Sequence, residues 1–227
     1  MRKSIVSFLA VFMMFSINMN IVFAKEDIPY YKVVRKEKID LYGAPVSIEV
    51  KHIENVKNKD VKKQINLMID NYVKTTLNKQ KEELKKTQPN RYTELGISVS
   101  DYYSSNNYTS FSLDFLQIMA SSYEEKQYHT IDLRNGKEIT IDNWLGKDYA
   151  RIVKDEVIKQ VHQQNQQNGT DIYFMNKVNH LNIQKDQSYY INEDGQIVVT
   201  FPKYEIAPGY VGLPEFIMPN HLKEVSQ

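Results

Sequence analysis

The spacing of apolar and polar positions changes several times along these 227 residues, and each change marks an element. Ile28 to Glu37 mixes Tyr30, Tyr31, Val33 and Val34 with charges and reads as a short strand or an ordered arm. After the break at Gly43-Ala44-Pro45, Val46 to Val50 alternates at period two, as a half-buried strand does. From Asp60 to about Lys86 the residues Val61, Ile65, Met68, Ile69, Tyr72, Val73 and Leu77 recur mostly at three- and four-residue steps. This predicts one long amphipathic helix laid on a sheet. Its tail, Lys79 to Lys86, is almost wholly polar and is expected to project into water, and Gln88-Pro89-Asn90 ends it.

Between Gly96 and Thr140 the pattern is that of strands. Ile97 to Ser100, Tyr108 to Met119, Lys126 to Leu133 and Glu138 to Thr140 form an antiparallel meander, with turns at Ser104-Ser105-Asn106-Asn107 and at Asn135-Gly136. A second amphipathic helix runs from about Asp148 to Gln164 and stops at Asn168-Gly169. Asp171 to His180 is a candidate short helix. Tyr189 to Ile191 and Gln196 to Phe201 make a hairpin about Glu193-Asp194-Gly195, and Phe216-Ile217-Met218 is a closing strand. The expected fold is α+β: a mostly antiparallel sheet with the helices near 60–86 and 148–164 packed on one face.

The first residues follow a different logic. Arg2 and Lys3 precede an apolar run from Ile5 to Ile17 and a polar stretch ending in Val22-Phe23-Ala24, the three parts of a signal peptide cleaved after Ala24. The run is shorter than the roughly 20 residues that span a bilayer, so no stable membrane insertion is expected after cleavage. The alternative is an uncleaved anchor that tethers the domain. The expected organisation is a signal peptide at 1–24, an N-terminal arm or strand at 25–45 and a single domain at 46–227. Its expected location is outside the cell or in a Gram-positive type of wall.

Charge and cysteine usage narrow the partners. The 29 basic residues nearly balance the 28 acidic ones, so no basic excess attracts nucleic acid or anionic lipid. No cysteine is present, which rules out disulfides, a thiol nucleophile and lipoprotein processing. Stability must come from burial.

Several strings resemble one known family. Ser188 to Gly195 with Ile197-Val198-Val199, then Tyr204-Glu205-Ile206-Ala207-Pro208-Gly209-Tyr210-Val211-Gly212 and Phe216-Ile217-Met218-Pro219, resemble the C-terminal signature of one extracytoplasmic domain. That domain is shared by lysozyme-sensing anti-sigma-V factors of the RsiV type and the N-terminal region of PdaC-type peptidoglycan deacetylases. Thr130 to Lys137 with Ile139-Thr140-Ile141 and Trp144-Leu145 is similar to its central hairpin, and Ile48 to Ile69 to its strand-then-helix opening. The similarity covers about residues 46–222. The chain departs at Ser121-Ser122-Tyr123-Glu124-Glu125, where the family often has small residues and a histidine. Only Met1 to Ser4 precede the apolar run, and no deacetylase domain follows. The expectation is therefore the shared domain exported alone, without an intracellular signalling half.

Catalytic chemistry finds little support in the residue pattern. His52, His129, His162, His180 and His221 show no helical metal spacing, and neither a metal nor another cofactor is expected. His129 and Asp132 are three apart in a predicted strand and leave on opposite faces. No Gly-x-Ser-x-Gly elbow occurs, and Glu193-Asp194 suits a turn. Trp144 reads as a core anchor where a hairpin meets a helix. No catalytic residue is assigned, the alternative being an envelope hydrolase or deacetylase with an unrecognised active site.

The partner-binding candidates are Pro208, Gly209 and Tyr210. Proline restricts the backbone, glycine permits a sharp turn, and the tyrosine presents a rigid amphipathic side chain of the kind that makes hot spots. Tyr204 is expected in the core, and the bland alternative is that Tyr210 also packs the end of the sheet. The resemblance implies that the loop faces a partner: a lysozyme-type muramidase or other cell-wall hydrolase, with peptidoglycan as the next candidate.

Overall fold

A computed structural model describes residues 28–86 and 94–221. The signal peptide at 1–24 and the helix stop at Gln88-Pro89-Asn90 lie outside the described residues. Strands β1 (Tyr30–Leu41) and β2 (Ala44–Glu54) form an antiparallel hairpin. Its two turn residues both have positive φ, 56° at Tyr42 and 89° at Gly43, the conformation whose twist matches a hairpin.

Helix α1 (Lys59–Lys86) starts where Asn58 Oδ1 accepts the N–H groups of Asp60 at 3.1 Å and Val61 at 3.3 Å, satisfying donors the first turn leaves free. Asn66 then holds β2 through a reciprocal pair, its Oδ1 accepting from Ile53 N at 2.9 Å and its Nδ2 donating to Ile53 O at 3.3 Å. The return from α1 makes β3 (Glu94–Ser104) parallel to β2, as a helical crossover requires. Strands β4 (Tyr108–Ile118) and β5 (Ser122–Asp132) complete the antiparallel meander, giving the order β1-β2-β3-β4-β5.

Two expectations need correction here. The tail of α1 does not project into water, because Gln80 is only 3% exposed and Leu84 only 2%. The buried stripe continues through Gln80 and Leu84 while the charged residues between them stay exposed, a continuation that a mostly charged segment conceals. Glu138 to Thr140 is also not a strand. It contributes one bridge, Ile131 to Glu138, before the Asn143 side chain accepts the Thr140 N–H at 3.0 Å and starts α2 (Ile141–Leu145).

The remaining chain builds a second layer. Helix α3 (Tyr149–Asn168) ends at Gly169, whose φ of 67° closes the helix, and α4 (Met175–Asn179) follows. Strands β6 (Tyr189–Ile191), β7 (Gln196–Thr200) and β8 (Glu215–His221) form an antiparallel sheet in that order. The chain is thus α+β and mainly antiparallel, as its periodicity indicates. Its strands divide between two sheets, and each long helix covers its own: α1 the first core with Ile48, Ile97 and Phe111, α3 the second with Ile197, Phe201 and Phe216. Periodicity reports which residues of an element are buried, not which element buries them.

Polar contacts join the two layers. Ile191 N donates to Ser110 Oγ at 3.0 Å, and the Tyr190 ring stacks on Tyr102 at 4.2 Å and on Tyr128 at 5.5 Å. Tyr189 is buried between Trp144 Nε1, which donates to its hydroxyl at 2.9 Å, and the Ile139 carbonyl, which accepts from it. Trp144 is a partly buried member of the second core. Tyr189→Phe strands both partners and is expected to lower stability by about 1–3 kcal/mol in denaturant melts.

Asp132 closes β5. Its carboxylate accepts from Arg134 N at 2.8 Å, from Arg134 Nη2 at 2.7 Å and from Asn135 Nδ2 at 3.2 Å. The Arg134 side chain, foremost, holds the Asp132 carboxyl below its ordinary value of 3.8. A depressed acid contributes stability that is present above the unfolded value and lost as pH falls through the folded one. Asp132→Asn is therefore expected to cost about 1–2 kcal/mol at neutral pH. The gap to wild type should narrow steadily in melts below pH 3.8.

Candidate partner-binding surface

The chain between β7 and β8 is anchored before it is exposed. Phe201 N donates to Pro214 O at 3.0 Å, pinching the two ends of the loop together. Ile206 and Ala207 are buried in the second core, and Phe174 N donates to Ile206 O at 2.8 Å. Lys177 Nζ donates to Tyr204 O at 3.3 Å. Desolvation pushes the Glu205 carboxyl up, with the Lys177 ammonium pulling the other way.

Pro208 lies at φ −61° and ψ 155°, and Gly209–Val211 then form one 3-10 turn closed by Val211 N donating to Pro208 O at 3.0 Å. Gly212 leaves the turn at φ 81°, a region L side chains rarely enter. At the tip, Tyr210 is 76% exposed, the highest value among the described large hydrophobic residues. The alternative in which Tyr210 packs the end of the sheet is not what the fold adopts.

Tyr204 corrects an expectation. It is 53% exposed, not core, because its backbone turns to φ 71° and carries the ring away from the strand's alternation. That ring lies on Gly209. A Cβ added at Gly209 would sit 2.3 Å from Tyr204 Cε1, so the glycine serves a close approach of ring to backbone. Lys203 Nζ stands 5.4 Å from the centre of the Tyr204 ring and also donates to Ser122 O. This last contact brings the tip of the β4–β5 hairpin beside the loop.

The hairpin carries the exposed side chains Met119 and Tyr123. Between its second strand and the loop lies a cavity of about 90 Å³ lined by Tyr123, Lys126, Tyr128, Phe201 and Lys203. Burial pushes the Tyr128 phenol upward, and its hydroxyl has no partner among the described residues. The surface is therefore a ring of phenols and lysines supported by two buried anchor residues. Of the residues exposed here, the sequence singled out Tyr210 but not Tyr204, Met119 or Tyr123, whose exposure depends on the positive φ at Tyr204 and on the β4–β5 hairpin.

Among the described residues the histidines do not converge. His52 pairs with Asp70 at 2.9 Å, His129 with Glu138 at 2.9 Å, and His180 Nδ1 with the Asn176 carbonyl at 2.7 Å, each in a different place. Glu193 and Asp194 are exposed in the β6–β7 turn, closed by Gly195 N donating to Asn192 O at 2.9 Å. Among the described residues no three His, Asp or Glu side chains gather where a metal ion could sit. No described helix is long and apolar enough to cross a membrane.

Comparison with known proteins agrees with this architecture. A family model described as a protein of unknown function, DUF3298, matches residues 137–221. The anti-sigma-V factor RsiV of Bacillus subtilis strain 168 is 32% identical over 183 residues. That match covers 76% of this chain and 62% of RsiV, so the chain spans less than two thirds of that relative. A DUF3298 family crystal structure from Bacteroides fragilis superposes with a TM-score of 0.60 at 14% identity, covering 87% of this chain and 94% of its own. Another, from Pseudomonas aeruginosa, gives 0.56 at 12% identity, covering 86% and 94%. At these identities the structures speak for the fold, and RsiV for the sequence. The RsiV match and the DUF3298 match at residues 137–221 support an RsiV-type shared domain.

Proposed function

We propose that this chain is an exported, non-catalytic binding domain of the cell envelope that uses the Pro208-Gly209-Tyr210 turn to hold a protein ligand. The ligand class is a lysozyme-type muramidase or another cell-wall hydrolase, with peptidoglycan as the competing candidate. A natural consequence of such binding is sequestration of the hydrolase.

The observation that carries this reading is the presentation of Tyr210. A large aromatic side chain left in water is unfavourable for an isolated fold, and here it sits on a turn fixed by a proline, a 3-10 hydrogen bond and two buried neighbours. A tyrosine has few rotatable bonds, so a rigid mount leaves little entropy to lose on binding. Tyr204, whose ring lies on the neighbouring Gly209, adds apolar area, and Lys177 and Lys203 tie the loop and the neighbouring hairpin through backbone carbonyls. The similarity to an anti-sigma factor supports a binding role over a catalytic one.

Isothermal titration of the purified protein with lysozyme-type muramidases and with sonicated peptidoglycan tests the reading. Absence of binding to both at high micromolar concentration overturns it. Activity on peptidoglycan that persists through rigorous purification would instead favour an envelope hydrolase or deacetylase. Tyr210→Ala is expected to weaken binding by about 2 kcal/mol or more with an unchanged melting temperature, as truncation of a hot-spot aromatic does. Gly209→Ala forces the Tyr204 ring off its seat and is expected to weaken the same complex about tenfold, read by the same titration.

A further inference from the structure

We propose that the groove between α1 and strands β4 and β5 is a second binding site, one that takes a neutral, hydroxyl-rich ligand such as a short oligosaccharide. The argument begins with α1. Its buried stripe reads Val61, Ile65, Ile69, Val73, Gln80 and Leu84, with one glutamine where the helix otherwise places apolar side chains. Gln80 Oε1 is buried and has no hydrogen-bond partner among the described residues. An unpaired buried amide costs about 1–3 kcal/mol, which a leucine at this position would not.

The facing strand repeats the feature. His129 Nδ1 lies 2.9 Å from Glu138 Oε1, and a carboxylate can only accept, so Nδ1 carries the hydrogen. Its other ring nitrogen, Nε2, is also buried without a partner among the described residues. Three buried side-chain polar atoms among the described residues lack partners. Two of them, Gln80 Oε1 and His129 Nε2, belong to residues lining this one groove of about 420 Å³.

The rest of the lining narrows the ligand. Tyr72 and Phe115 offer ring surface, while Asn71, Thr75 and Gln127 offer uncharged hydrogen-bonding groups. Burial pushes the Tyr72 phenol up to about 12, so it stays neutral. The only charged side chains in the lining, Lys79 and Glu125, oppose each other. Two unmet polar atoms call for groups that can both donate and accept, as hydroxyls do, the balanced charge calls for a neutral molecule, and the rings suit the C–H face of a sugar. This site is independent of the Tyr210 surface, and either reading can fail alone.

Titration of the isotope-labelled protein with tri-N-acetylchitotriose and with maltotriose, up to about 10 mM and followed by amide NMR, tests the proposal at weak affinities. Saturable shifts are expected for amides of Thr75 to Gln80 and Gln127 to His129 with at least one sugar. Gln80→Leu is expected to weaken that binding about tenfold or more while holding or raising the melting temperature, since it removes an unmet polar group. His129→Phe, which keeps the packing on Phe111, serves as the second variant and is expected to weaken binding likewise. Four results would overturn the site. These are no saturable shift with either sugar, shifts that map elsewhere, a response only to a neutral extended peptide, and wild-type sugar affinity in Gln80→Leu together with a lowered melting temperature.

Discussion

Strand β4 has no solvent side from Thr109 to Phe115, and the two layers of the molecule are arranged around that strand. Its alternate residues face opposite ways. Phe111, Leu113 and Phe115 belong to the core under α1, whereas Ser110, Ser112 and Asp114 point toward the second sheet. A strand buried on both faces is usually apolar on both. Here one row is polar, so each of its groups must be paired within the protein. Ser110 accepts the Ile191 N–H and bonds Thr130, and Ser112 and Ser100 both donate to the Asp114 carboxylate.

That polar row sets how the second layer attaches. Burial raises the Asp114 carboxyl, and the two serine hydroxyls oppose the rise. Around it Tyr102, Tyr128 and Tyr190 supply stacked rings, so the seam has hydrophobic area at its rim and hydrogen bonds at its centre. Such a seam is directional. The Ile191 N–H bond to Ser110 Oγ and the stacking of Tyr190 on Tyr102 and Tyr128 fix where β6 sits against the first sheet.

The candidate surface inherits its rigidity from this attachment. The β4–β5 hairpin ends the first sheet, the β7–β8 loop ends the second, and the Lys203 contact with the Ser122 carbonyl joins them. Tyr123 on the hairpin and Lys203 on the loop line one cavity between the layers, so the surface around the loop depends on both sheets.

Much of this was legible in the residue order. The alternation in Val46 to Val50, the stripe from Val61 to Leu77, the Asn-Gly and Asp-Gly turns and the Pro-Gly-Tyr string are local signals, and local signals survive without knowledge of partners. They determined the α+β class, the order of elements and the exposed tip of the β7–β8 loop. Tertiary structure decided the rest. It divided the strands between two sheets, drew Gln80 and Leu84 inward from a charged helix tail, and turned Tyr204 outward at a positive φ. The physical reason is the same in each case: burial is fixed by what lies across from a residue, and sequence periodicity describes only the element to which that residue belongs.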